Sequence, residues 1–152
     1  MQKKIKLIGI IALGVLVIMQ FIRPDRNEQG YESIQFFENE TKPSEKITSI
    51  LKQNCYDCHS NHTIYPWYMN IAPVSYWINH HIEEGKEHFN VSDWEKYSVK
   101  KKDHKLEELL EEVEEGHMPL SSYTWLHGNL EEEEKELLFQ WVRNLRVSYQ
   151  SN

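Results

Sequence analysis

The chain opens on a basic segment and then runs through residues 7–19 without one charged or hydrogen-bonding side chain. Apolar positions continue to Phe21 and Ile22, interrupted only by Gln20. This stretch is apolar all round, unlike an amphipathic surface helix. In helical form residues 7–22 rise ~24 Å against a hydrocarbon core of ~30 Å, a shortfall that flanking Lys and Arg cover by snorkelling. The run Met19, Gln20, Phe21, Ile22, Arg23, Pro24 offers no small-residue cleavage site, and no cysteine lies near residue 20 to take a lipid. The pattern predicts an uncleaved signal anchor, one transmembrane helix over residues 1–23. Lys3, Lys4 and Lys6 place its N-terminus inside, with Arg23 and Arg26 weakly opposing, so it spans the membrane once with the remainder on the trans, oxidising side.

Beyond the anchor no segment alternates with the period of a strand, and apolar residues recur at helical spacing. Residues 24–34 read as a linker, polar as far as Gly30. Residues 31–40 contain Ile34, Phe36 and Phe37 without a clear period and are expected to be irregular. Pro43 opens a helix carrying Ile47, Ile50 and Leu51 that leads into Cys55. Val74, Trp77, Ile78 and Ile82 mark a second, which Gly85 is expected to stop. A turn of helix surrounds Trp94. Asp103 is expected to cap a third helix with Leu106, Leu109, Leu110 and Val113, ended by Gly116. Asn129 with Glu132 predicts a capping box for a fourth, running to about Val147 with Leu130, Leu137, Leu138, Trp141, Val142 and Leu145 on one face. The expected fold is all-α, with the domain over residues 35–148.

Charge narrows the function. Residues 1–26 hold five Lys/Arg against one acid, so of the chain's 17 basic and 24 acidic residues the rest carries 12 against 23. Such a body has no basic face for phosphates, which excludes nucleic acid as a partner. A mean hydropathy of −0.68 excludes a multi-span membrane protein. Two cysteines exclude a disulfide-dense scaffold. Short helices joined by loops of ten or more residues need something to pack against, which a buried cofactor supplies.

The chemistry is concentrated at Cys55-Tyr56-Asp57-Cys58-His59. C-x-x-C-H is the attachment sequence of c-type haem: two thiols one helical turn apart meet the two vinyl groups, and the adjacent imidazole lies under the iron. Three rivals are weaker. A thioredoxin-like pair needs a βαβ context that is missing, and structural zinc needs a second ligand pair that His62 alone does not supply. A plain disulfide is what the two thiols become in an oxidising compartment without haem. For the sixth ligand the candidates are Met69, Met118, His62, His80, His81, His88, His104, His117 and His127. Met118 is favoured, since it lies beyond Gly116 and before Pro119, where the pre-proline residue is extended. His117 is the main alternative, while His80 and His81, in a helix near Trp77, read as partly exposed or hydrogen-bonded helix residues. His62 is too near His59 to reach the opposite face, and His127 is better placed for loop backbone or a propionate.

Several stretches together resemble the haem-binding domain of small, membrane-anchored bacterial cytochrome-c-like proteins. They are Cys-Tyr-Asp-Cys-His (55–59), Tyr-Pro-Trp-Tyr (65–68), Ile-Ala-Pro-Val-Ser-Tyr-Trp-Ile (71–78) with His81 and Gly85, and Phe-Asn-Val-Ser-Asp-Trp (89–94). Gly-His-Met-Pro-Leu (116–120) with Tyr123 and His127, and the stretch from Leu130 to Trp141, complete the pattern. The resemblance covers residues 35–146. It implies a cytochrome-c-like fold wrapped around one covalent haem c, His59 as proximal ligand and Met118 as distal ligand, and it implies no particular electron partner.

Residues 65–68 either cover a porphyrin edge or pack generically. The glutamates around Leu109 and Leu110 form a solvated face or a docking site for a basic partner. No phosphate loop, nucleophile motif or H-E-x-x-H occurs. The expected function is electron transfer on the periplasmic side with a six-coordinate haem and an unidentified redox partner, a carrier rather than an enzyme. The alternative is a haem sensor or peroxidase-like enzyme with an open distal site.

Overall fold

The helical stripes read from the sequence become eight α-helices in a computed structural model that describes residues 1–151. These are α1 (Gln2–Met19), α2 (Gln35–Thr41), α3 (Glu45–Asn54), α4 (Tyr56–His59), α5 (Val74–His88), α6 (Val99–Glu114), α7 (Ser121–His127) and α8 (Glu132–Gln150). Three 3₁₀ segments, Tyr31–Ile34, Trp67–Asn70 and Val91–Lys96, punctuate them. The expected all-α class holds: 73% of the protein is helical, and no strand occurs among the described residues.

Trp94 is the centre of the core, with no exposed surface. Phe37 meets it edge to face at 5.1 Å and also turns an edge relationship toward Tyr56 and Trp141. Ile47, Ile50 and Leu51 on one face of α3, Leu106 on α6, and Leu138 and Val142 on α8 close the cluster. Helices α6 and α8 pack on each other, α8 on α3, α3 on α4, and α4 on α5. The motif helix is therefore clasped between the core and α5.

Four local expectations change. Residues 31–40 are ordered as a 3₁₀ turn followed by α2, because Ile34, Phe37 and Thr41 fall on one buried face while Phe36 is left outside. Helix α5 runs through Gly85 to His88 instead of stopping there. Helix α6 starts at Val99, where the Ser98 hydroxyl accepts from the Lys101 amide; Asp103 lies inside it and pairs with Arg146 at 2.8 Å. The capping box of α8 uses Glu131 and Glu134, two residues beyond Asn129 and Glu132.

The N-terminal segment is helical as expected, with no buried residue. Among the described residues, however, no helix is long and apolar enough to cross a membrane. The reason is the division of α1: Lys3, Lys4 and Lys6 occupy its first turns, and residues 7–19 alone rise only about 20 Å. Residues 24–30 are not a free tether. Asn27 is buried, its side chain donates to Ser60 O and Thr63 Oγ1, and Glu28 forms an isolated antiparallel bridge with His62.

Candidate functional site

Helix α4 is a single turn, and its geometry follows from its sequence. The amides of Cys58 and His59 both donate to Cys55 O, at 3.2 and 2.9 Å, so residues 55, 58 and 59 stand at i, i+3 and i+4 of one turn, with Cys55 packed against the core and Cys58 on the cleft. The two intervening residues hold the turn, Tyr56 from the core and Asp57 from the cleft side. Tyr56 is buried in the core and its hydroxyl donates to Glu38 at 3.1 Å. Asp57 is buried too, accepting from the Ile64 amide at 2.9 Å and from the Tyr123 hydroxyl at 3.0 Å. Ser60 and Thr63 tie the exit of the turn to Tyr56 O and Asp57 O.

Cys55 and Cys58 are free and half-buried. Burial pushes both thiols up to about 12, with the neighbouring Cys58 adding to the effect on Cys55 and Asp57 to that on Cys58. They are thus neutral thiols, the reverse of the lowered values that a redox-active pair requires. Conversion to thioethers would introduce no charge into this apolar setting. Among the described residues no group of three His, Cys, Asp or Glu side chains is placed to hold a metal ion, so structural zinc finds no ligand set.

His59 is oriented from behind. Its Nδ1 lies 3.0 Å from Gly85 O and 2.9 Å from Phe89 O. Both partners are acceptors, so Nδ1 carries the proton and donates, and in the neutral ring Nε2 keeps its lone pair. Burial lowers the His59 value, against the opposing pull of the two carbonyls, which favours that neutral form. A metal-ligating histidine usually donates its other ring N–H to a backbone carbonyl or carboxylate in this way, which fixes its tautomer and ring orientation. Helix α5 and its C-cap Phe89 can supply these acceptors only because the helix comes close to α4, and Gly85 permits the approach.

An apolar cleft opens beside Cys58, walled by Met69, Trp77, Ile78, His81 and Ile82 on one side and by Leu120, Tyr123, Leu126 and His127 on the other. Helix α7, which the sequence pattern did not reveal, closes the second wall. Its own signal is faint: seven residues with Tyr123 and Leu126 as the inward pair. Tyr123 is held by Gln53 O and Asp57 and stacks on His127 with ring centres 4.0 Å apart.

The ligand candidates separate clearly. Met69 is buried in the cleft wall, and His81 borders it with its ring 4.7 Å from Trp77 and Nδ1 3.3 Å from Glu84. Met118 is half-buried after α6, its amide donating to Glu112 O at 3.0 Å; it is two residues from Leu120 and is not itself part of the cleft wall. His127 has both ring nitrogens engaged, by Tyr123 O and the Tyr68 hydroxyl. His80 is exposed beside Glu84, His104 beside Glu107 and Glu108, and His117 beside Glu112 and Glu115. His62 stands edge-on to Tyr31 with a buried Nδ1 that has no hydrogen-bond partner. Trp67 is exposed, Tyr65 donates no core packing but receives the Asn27 amide, and Tyr68 alone of residues 65–68 reaches the cleft.

An all-α domain that presents two neutral thiols and a backbone-anchored imidazole from one helical turn, beside an apolar cleft, has the makings of a haem protein. Residues 14–144 match the haem-binding domain family, and the chain belongs to it. No curated protein and no solved structure matches the chain.

Proposed function

We propose that the protein is a c-type cytochrome, attached to a membrane through α1, that carries electrons on the periplasmic side. The observation that carries the reading is the His59 anchor: an imidazole with Nδ1–H spent on two backbone carbonyls has one remaining use for Nε2, and it adjoins two free thiols at attachment spacing. The iron of a haem supplies one-electron ferric and ferrous chemistry when bound. Cys55 and Cys58 would hold it covalently, His59 would hold the iron, and the walls of the cleft would exclude water.

For the sixth position Met118 is the proposed ligand, a thioether being suited to stabilising ferrous iron. A second reading is favoured by one observation, the burial of Met69 in the cleft wall. An open sixth position would make the protein a sensor or peroxidase-like enzyme instead. Attachment through α1 is supported by its fully exposed apolar surface, with Lys3, Lys4 and Lys6 able to snorkel from a helix shorter than the hydrocarbon core.

The test is intact-mass analysis of the full chain matured in a host with haem-attachment machinery. One covalent haem per chain, lost in the Cys55→Ala/Cys58→Ala variant, is expected, together with sedimentation in carbonate-washed membranes. A bare polypeptide overturns the cytochrome reading. A haem-loaded protein whose ferrous form binds carbon monoxide readily without any substitution overturns the carrier in favour of the open-site alternative.

A further inference from the structure

The junction between α1 and the domain is tied by several hydrogen bonds. Gln20 exchanges two hydrogen bonds with Ala72: its Nε2 donates to Ala72 O at 3.1 Å, and Ala72 N donates to its Oε1 at 3.0 Å. The Tyr76 hydroxyl donates to Ile22 O, and Arg26 donates to Asn70 Oδ1 at 2.6 Å. With Asn27 buried just beyond, no slack remains between the end of the apolar helix and the segment that enters α5.

That junction is also where the domain leaves apolar side chains uncovered. Phe21 and Ile22 are 84% and 62% exposed, and next to the Ala72 tie stand Ile71, Val74 and Trp77, the last 49% exposed. Exposed apolar side chains gathered at one junction mark a contact surface, and tryptophan is the residue enriched where lipid meets water. The glutamate-rich helices are elsewhere. Helices α6 and α8 pack on each other, α8 meets α3 and α3 meets α4, while the glutamates of α5 itself, Glu83, Glu84 and Glu87, lie in its second half, away from the Ala72 tie. At the junction itself exposed Arg23 and Arg26 are matched by exposed Asp25 and Glu28, so no net negative charge faces the headgroups there.

Resting on the reading of α1 as the membrane attachment, we propose that Ile71, Val74 and Trp77 lie in the interfacial layer of a lipid bilayer. The domain is then fixed in one orientation, with the Trp77 wall of the cleft toward lipid.

The test places a photoreactive benzoylphenylalanine at position 71 or 74 of the full chain, and at 140 on α8 as the distant control. Each variant is irradiated in vesicles of phosphatidylethanolamine and phosphatidylglycerol that contain no other protein. Phospholipid adducts at 71 and 74 several-fold above those at 140 are expected. Gln20→Ala should cut the adduct at 74 several-fold while the chain still sediments with the vesicles. Equal yields at all three positions in a chain that sediments overturn this inference and leave the attachment by α1 standing. So does a second irradiation, in native membranes, that gives an adduct with a protein at 71 and 74 and none with phospholipid. A chain that does not sediment overturns both.

Discussion

Gly85 and Cys58 meet backbone to backbone: a Cβ added to Gly85 would lie 2.7 Å from the Cys58 carbonyl oxygen and 3.2 Å from its Cβ. The obstacle is main chain, so it cannot turn aside. Alanine in a helix interior gains up to about 1 kcal/mol over glycine, while overpacking costs about 1–3 kcal/mol. The Gly85→Ala variant is therefore expected to lose about 1–2 kcal/mol in denaturant unfolding. Because Gly85 O accepts from His59, haem retention should fall as well. A variant as stable as the parent would show that α4 and α5 can part at no cost.

Met118 and Met69 can be told apart by what their loss does to the iron. Met118→Ala is expected to lower the reduction potential and let the ferrous form bind carbon monoxide, while Met69→Ala should leave both unchanged and cost about 2–5 kcal/mol of stability as a core truncation. The reverse assignment of potential and stability effects would make Met69 the ligand. Redox titration and carbon monoxide difference spectra of the two variants decide it.

The parts of this fold legible in the sequence were those that repeat. Ile47, Ile50 and Leu51 announced α3, and Leu138 with Val142 announced α8, since a stripe of apolar residues has one sensible use. Gly85 is ambiguous in the sequence because a glycine near a helix end has two uses, a left-handed stop and a close approach, and only the neighbour across the gap separates them. Helix α7 stayed hidden because seven residues contain too few turns for a period to show. The C-x-x-C-H spacing identified the motif at once. The two carbonyls behind His59 could not be foreseen, since they belong to residues 26 and 30 positions further along the chain.

The start of α6 offers a direct check on one such ambiguity. Ser98 accepts from the Lys101 amide and is the cap; Asp103 lies a full turn inside and bonds Arg146 instead. Ser98→Ala is expected to cost about 1 kcal/mol, as loss of an N-cap does. Asp103→Asn should cost less and should make the effect of Arg146→Ala smaller, a coupling that a double-mutant cycle reads. A larger loss for Asp103→Asn than for Ser98→Ala, with no coupling to Arg146, would return the cap to position 103.

Glu40 sets the acid limit of the core. Lys102, itself buried, bonds both carboxylate oxygens at 2.8 and 2.7 Å, the Trp94 indole donates at 3.2 Å, and the Tyr149 hydroxyl donates to the same group. Burial alone would raise the Glu40 value, but the bonds from Lys102, Tyr149 and Trp94 outweigh it and hold the carboxyl below its ordinary range. A depressed carboxylate contributes stability that is present above the unfolded value of about 4.3 and is lost as pH falls through the lower folded value. Removing one partner of a buried pair costs about 3–5 kcal/mol, and the partial exposure of Glu40 reduces this to about 2. Glu40→Gln should accordingly be less stable than the parent at neutral pH, and the difference should shrink as both are acidified through the folded value. Denaturant midpoints taken across that range test this: a difference that stays constant with pH would mean that Lys102 gains nothing from the charge on Glu40.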